Sequence, residues 1–231
     1  MRILGITLAR GGSKSVPGKN IRKIHGKPLL AYTIEEALKS EYISEYVVSS
    51  DSKLILDVAK EYGAFPIQRP KHLAQDDTPS IDGLIHALDN MEELMGFEYQ
   101  VTADLRATNP MKTVADIDGA IKKLMTTGAD TVVGVSEAEP PQRIKFVVSD
   151  HLVDVWPETS GNRQDLSPQC YVRNGSMYIV RTSALREGIH FSGGDIRPWY
   201  MPRSKSINID TELDFLLAEK LLEGRDDRVG S

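Results

Sequence analysis

Cysteine is almost missing from this chain: Cys170 is the one thiol among 231 residues. A lone thiol excludes an intramolecular disulfide framework and fits a reducing compartment, so a cytoplasmic protein is expected. Long hydrophobic runs are missing too. No apolar stretch approaches the ~20 residues that span a bilayer, and the N-terminus enters a strand-like segment without a signal-peptide core. No membrane role is therefore expected. His25, His72, His86, His151 and His190 show no metal-ligand spacing, and Trp156 and Trp199 read as packing residues. A formal net charge of −5 argues against non-specific nucleic-acid binding. The remaining composition, 40% apolar and 26% charged, suffices for one globular domain with a full core.

One further absence is local. No Asp or Glu precedes Glu35, while seven of the 28 Lys and Arg do. Within that acid-free start lies Leu8-Ala-Arg-Gly-Gly-Ser-Lys-Ser-Val-Pro-Gly-Lys-Asn20, a glycine-bent loop after an apolar strand. Arg10, Lys14 and Lys19 supply positive charge there, with no acid nearby in sequence to offset it. Converging cations and backbone N–H groups predict a polyphosphate site. A Walker loop needs glycines five apart followed by Lys and Ser or Thr, whereas Gly12 and Gly18 are six apart and Asn20 follows Lys19. The dinucleotide fingerprint G-x-G-x-x-G is absent as well.

Through residue 135 the periodicity alternates between strand and helix. Strands are predicted at 2–8, 46–50, 98–104 and 130–135, and helices at 28–39, 52–62, 79–95 and 113–127. Gly63 and Gly128 read as helix ends, and Thr113 as an N-cap. Such alternation predicts an α/β fold with a mostly parallel central sheet flanked by helices. Residues 142–180 break the pattern and predict a small β-rich insertion within a single 1–231 domain. Its segments 143–148 and 152–155 are expected to form a hairpin, with 171–181 as a third strand. The β–α order is expected to resume with a strand at 206–210 and a helix at 211–223. Leu213, Leu216, Leu217, Lys220 and Leu221 are expected to form the packed face of that helix.

The loop string resembles the A-R-x-G-S-K-x-x-x-x-K-N signature of the acylneuraminate cytidylyltransferases, the CMP-sialic acid synthetase family. The resemblance runs from about residue 3 to 222. Gly26-Lys-Pro-Leu29 and Arg69-Pro-Lys-His-Leu-Ala-Gln-Asp-Asp-Thr-Pro-Ser80 are similar to further family segments, as are Arg163-Gln-Asp-Leu166, Arg173-Asn-Gly-Ser-Met-Tyr178 and Ile207-Asn-Ile-Asp-Thr-Glu-Leu-Asp-Phe215. It implies a Rossmann-like nucleotidyltransferase fold that transfers CMP from CTP to the anomeric hydroxyl of a nonulosonic acid, releasing pyrophosphate. Ala9, Arg10, Ser13, Lys14, Lys19, Asn20, Arg69 and Ser80 would then bind the nucleotide, with Arg10, Lys14 and Asp210 as catalytic residues. Arg106, Lys145, Arg163, Gln164 and Tyr178 would face the acidic nine-carbon sugar, the arginine through bidentate contact with a carboxylate. Asp210 and Asn208 would hold Mg²⁺, a hard cation that takes carboxylate oxygens. A homodimer is also implied.

Three departures from the family pattern bear on substrate choice. Arg106 stands where the family has glutamine, Lys112 where it has arginine, and Asn208 where it has aspartate. Arg106 is open to two readings, pairing with an acidic substituent or with Asp104. Asp104 is also an alternative contributor to the metal site, and Asp214 reads as the N3 acid of a cap on Thr211. The altered 106–112 segment and Asn208 leave two other functions in view. One is a nucleotidyltransferase of the same fold acting on a sugar phosphate or other precursor; the other is a nucleotide-binding regulator with impaired catalysis. Arg10, Lys14 and Asp210, all present, argue against the regulator.

Overall fold

The computed structural model describes residues 1–156 and 169–226. A seven-stranded sheet forms the centre, in the order β11-β7-β10-β6-β1-β4-β5. Its strands are β1 (Ile3–Leu8), β4 (Glu45–Ser50), β5 (Phe65–Gln68), β6 (Val101–Leu105), β7 (Thr131–Glu137), β10 (Tyr171–Arg181) and β11 (Ile196–Tyr200). All run parallel except β10, which pairs antiparallel with both β6 and β7. Two small hairpins complete the strands: β2 (Lys23–Ile24) with β3 (Lys27–Pro28), and β8 (Lys145–Val148) with β9 (His151–Asp154).

The helices are α1 (Leu29–Leu38), α2 (Lys53–Glu61), α3 (Ser80–Met95), α4 (Val114–Thr127), α5 (Thr182–Arg186) and α6 (Glu212–Asp226). Strands buried on both faces need cover on both, and the core divides accordingly. On one face Ile34 of α1, Ile55 of α2 and Ile117, Ile121 and Leu124 of α4 pack against the sheet. On the other, Leu84, Leu88 and Met91 of α3 join Leu4, Ile6 and Val133. Burying each such side chain contributes about 1.5–3 kcal/mol. Thr113 and Asp116 form a reciprocal capping box at the start of α4, and Gly128, at φ 71°, ends it.

Several expectations need correction. Residues 171–181 form β10, which lies inside the central sheet and is not part of an insertion. Residues 206–210 run on as irregular chain; the last sheet strand is β11, whose Pro198 is tolerated because β11 is an edge. On α6 the packed residues are Phe215, Ala218 and Leu222 with Leu221, as expected, against them, while Leu213, Leu216, Leu217 and Lys220 are exposed. Trp199 packs on α4, where a Cβ at Gly119 would lie 2.2 Å from its ring, but Trp156 is half exposed. The β8–β9 hairpin forms as expected, turning through Ser149 and Asp150 at φ 49° and 64°.

Candidate active site

Strand order reverses between β1 and β6, because β4 and β5 lie to one side of β1 while β6 and later strands lie to the other. Open α/β sheets bind ligands in the crevice beyond the strand C-termini at such a switch point. The cationic loop leaves β1 there, and the 106–112 segment leaves β6. Between them lies a cleft of about 450 Å³ lined by Arg10, Ser13, Lys14, Lys19, Asn20, Arg69, Ser80, Arg106 and Asp210. Nucleotide-side residues spread over four sequence segments are thus brought together.

The backbone of the loop is pinned while its cations project. Ala9 N donates to Ser49 O at 3.0 Å, and Gly11 N to Asp51 Oδ1 at 2.9 Å. Buried Asn20 donates through Nδ2 to Arg10 O at 3.1 Å, and Gly18, at φ 64°, turns the chain into a short 3-10 turn. Val16 is fully buried against α6. Ala9 is buried in the core and is not among the residues lining the cleft. Lys19 reaches the far end of the cleft, donating to Ile209 O at 2.6 Å and pairing with Asp210 at 3.4 Å.

The expectation that no acid offsets these cations is wrong. Asp76 pairs with Arg10 at 2.6 Å and with Lys14 at 2.5 Å. The Lys14 hydrogen bond holds the Asp76 carboxyl below its ordinary range. This acid lies sixty residues downstream, so the sequence around the loop gives no sign of it. Its segment is anchored by Arg69, whose N donates to Ser50 O at 2.8 Å and whose guanidinium is buried. Gly83 packs closely beside it: a Cβ there would lie 3.0 Å from Arg69 Nη1 and 3.2 Å from Leu8, so either side chain would have to shift.

On the β6 side the charges are buried. The side chain of Asp104 is fully inaccessible; it accepts from Arg106 Nη2 at 2.9 Å and His190 Nε2 at 3.1 Å. Burial alone would push its carboxyl up, yet these partners hold it below its ordinary value. Of the two readings of Arg106, the structure shows the pairing with Asp104. Arg106 also donates to Ser80 Oγ at 3.3 Å and lies over the Tyr178 ring. Lys112 is fully buried and donates to Thr33 Oγ1, Arg106 O and Asn109 O at 2.9, 2.6 and 2.5 Å. Burial pushes its ammonium down to about 7, against Asp104, Asp116 and Glu36, which raise it. Sequence reasoning misses both as site residues: His190 sits in no motif, and Lys112 shows only as a departure from the family's arginine, with no sign that it is buried.

A second cavity of about 350 Å³ lies beside the cleft, lined by Ser136, Arg173, Asn174, Tyr178, Phe191 and Asn208. Two contacts join the cavities: Arg106 over Tyr178, and Asn208 Nδ2 donating to Asp210 Oδ2 at 2.5 Å. Asp214 caps the start of α6, accepting from Thr211 N at 2.8 Å, so of these two acids Asp210 faces the cleft, across from Asp76 on the loop cations. No group of three or more His, Cys, Asp or Glu that could hold a metal occurs among the described residues. One carboxylate with an amide neighbour fits a magnesium ion bound mainly through phosphates and water. Asp104 is enclosed by Arg106 and His190 and does not share that position. Lys145 pairs with Asp154 across the β8–β9 hairpin and is not among the described residues lining either cavity. Arg163 and Gln164 lie outside the described residues.

A cationic cleft of nucleotide size at the switch point of such a sheet, with a carboxylate at its far end, has the form of a nucleotidyltransferase site. Residues 4–176 match the cytidylyltransferase family, and the chain belongs to it. It is 38% identical to the CMP-N,N′-diacetyllegionaminic acid synthase of Legionella pneumophila, over 96% of this chain and 97% of that protein. It is 32% identical to the N-acylneuraminate cytidylyltransferase of an Escherichia coli strain, over 94% of this chain and 51% of that longer protein. Among solved structures, CMP:2-keto-3-deoxy-manno-octonic acid synthetase complexed with CTP superposes with a TM-score of 0.73 at 16% identity, covering 97% of this chain and 100% of that one. The fold is shared with that enzyme. Within the cytidylyltransferases the sequence falls in the CMP-nonulosonic acid synthetase family.

Proposed function

We propose that the protein transfers CMP from CTP to a nonulosonic acid of the diacetyllegionaminic type. The observation that carries this reading is the convergence of Arg10, Lys14, Lys19 and Asp210 on one cleft that adjoins a second, sugar-sized cavity. The acceptor's anomeric oxygen attacks the α-phosphorus of CTP, the bond from that phosphorus to the β-phosphate bridging oxygen breaks, and pyrophosphate departs. The hydroxyl proton passes to solvent. In-line positioning and charge neutralisation suffice for such a step, without a covalent intermediate. Arg10 and Lys14 exchange Asp76 for phosphate oxygens and stabilise charge growing on the leaving pyrophosphate. Lys19, already bonded at 209–210, fixes the spacing between loop and carboxylate. Asp210, with Asn208 beside it, would hold Mg²⁺, which supplies Lewis-acid neutralisation of the triphosphate. Arg69 and Ser80 suit the base and ribose end.

The 38% identical relative named for diacetyllegionaminic acid supports that acceptor class, as does an acceptor side that differs from the sialic-acid pattern at Arg106. A cytoplasmic homodimer completes the reading. Its support is the β8–β9 hairpin, where Phe146, Val147, Leu152 and Val153 are all exposed on a two-stranded ribbon too small to be stable alone. The activity test is pyrophosphate release with CTP, Mg²⁺ and a panel of nonulosonic acids and sugar phosphates. Release with diacetyllegionaminic acid is expected. Release with sugar phosphates alone, or with none of the panel, would refute the assignment. Light scattering tests the dimer: wild type is expected at twice the monomer mass and Val147→Lys at the monomer mass, whereas a monomeric wild type removes that role from the hairpin.

A further inference from the structure

Asp104 and His190 form a buried pair that no step of the transfer uses. We propose that this pair positions Arg106 and cancels its charge, so that Arg106 reads a neutral oxygen of the acceptor, such as an acylamino carbonyl, and not an anionic substituent. The proposal rests on the acceptor class proposed above.

The geometry argues as follows. Asp104, the penultimate residue of β6, lies opposite Tyr178 of β10, in register with it. One oxygen, Oδ2, takes both the Arg106 and the His190 hydrogen bond, which assigns the His190 proton to Nε2. Asp104 Oδ1 and His190 Nδ1 are buried with no hydrogen-bond partner among the described residues. Such a pair is a poor device for stability, since desolvation of a buried carboxylate offsets most of its attraction to a cation. What it does fix is direction. Arg106 Nη2 is held by Asp104 and by Ser80, and the guanidinium lies 5.3 Å above the Tyr178 ring centroid. That ring is itself wedged by His190 and Phe191, at centroid distances of 5.0 and 5.8 Å. Carboxylate, hydroxyl and aromatic face together leave the guanidinium one orientation.

The charge follows from the same contacts. A ligand approaching Arg106 meets a guanidinium already paired 2.9 Å away with a carboxylate that water cannot screen. The pair is close to neutral, so a second carboxylate gains little there. A carbonyl or hydroxyl oxygen still gains a directed hydrogen bond from whichever N–H groups Asp104 and Ser80 leave over. Arg106 lines the nucleotide cleft and touches the wall of the second cavity through Tyr178, so it stands where the two substrates meet.

Two pairs of variants test this by steady-state kinetics with CTP and N,N′-diacetyllegionaminic acid. Asp104→Asn and His190→Gln should each raise KM for the acid about 10- to 100-fold, the size of effect that loosening a positioned contact produces. KM for CTP should stay within about twofold. Arg106→Gln, neutral but able to donate, should keep more activity toward this acid than Arg106→Lys, which retains charge and loses the fork. Parallel rises in both KM values, or unchanged kinetics with only a lower Tm, would make the pair structural and overturn the proposal. So would a lysine variant better than the glutamine variant. If neither buried variant folds, as judged by circular dichroism, the Arg106 pair decides alone. A wild-type enzyme that turns over no nonulosonic acid would fail the activity test first and take this inference with it, whereas failure of the variants leaves the activity standing.

Discussion

The two sides of the switch point use charge in opposite ways. On the β1 side, Arg10, Lys14 and Asp76 all lie in solvent, and their pairing is exchangeable. On the β6 side, Asp104 and Lys112 are fully buried, with His190 nearly so and Arg106 partly covered. Exposed ion pairs are worth about 0.2–1 kcal/mol and give way readily to a better anion. Buried ones are held by geometry, and removing one partner leaves an unpaired polar group that costs about 1–3 kcal/mol. A polyphosphate with several charges needs the first kind of surface. A sugar acid, distinguished from its relatives by the placement of a few oxygens, needs the second.

The largest expected effect falls on the exposed side. Lys14→Ala removes a cation proposed to stabilise the leaving pyrophosphate, and loss of one such electrostatic donor typically costs about 100- to 1000-fold in rate. Measured kcat/KM for CTP should drop by that amount while Tm hardly moves, since the Lys14 ammonium is four-fifths exposed. An unchanged kcat/KM would remove the loop from the chemistry and erase the contrast between the two sides.

Lys112 gives a smaller and opposite signature, in stability and not in rate. Its ammonium titrates near 7 in the folded chain and near its ordinary 10.5 when unfolded. Below pH 7 both states hold the proton, and the fold bears the full cost of burying it. Between pH 7 and 10.5 only the unfolded state stays protonated, so stability from this group rises with pH. Two units of that window, pH 7 to 9, correspond to roughly 2–3 kcal/mol. Urea unfolding of wild type and Lys112→Met at both pH values should show the rise in wild type and its loss in the variant. Equal pH slopes would mean that Lys112 keeps an ordinary pKa, and that its hydrogen bonds to Arg106 O and Asn109 O outweigh burial.

The same division separates what was legible in the sequence from what was not. The β1 loop is local: its glycines, cations and following helix lie within thirty residues, and the structure brings Arg10, Ser13, Lys14, Asn20, Arg69, Ser80 and Asp210 to one cleft. Five strands of the central sheet, the β8–β9 hairpin, the first four helices and α6 were readable for the same reason, because periodicity and caps such as Thr113 are short-range signals. The acceptor side is assembled from long-range contacts. Asp104 and His190 are 86 residues apart, and Lys112 reaches back 79 residues to Thr33. No spacing rule announces them. The face of α6 is half legible for a related reason: Leu221 packs as expected, but Phe215, Ala218 and Leu222, and not Leu213, Leu216 and Leu217, cluster with Val16 and Ile24 of the loop region. Short β5 and β11 escaped notice because each contains a proline, which an edge strand accepts and a periodicity scan rejects.

Asp76 offers the finest test of the comparison, with the smallest expected effect. It neutralises the loop before nucleotide arrives, so triphosphate must displace it from Arg10 and Lys14. Asp76→Asn removes the competitor without removing a cation. Loss of so exposed a competitor should lower KM for CTP by roughly a few-fold, with inhibition by pyrophosphate tightened to match. Raising the salt concentration should shrink the difference between variant and wild type, because screening weakens the carboxylate that has been deleted. A variant with weaker CTP binding would show instead that Asp76 orders the loop and does not compete for it. The exposed side would then also use charge for geometry, and the contrast with Asp104 and Lys112 would be one of burial alone.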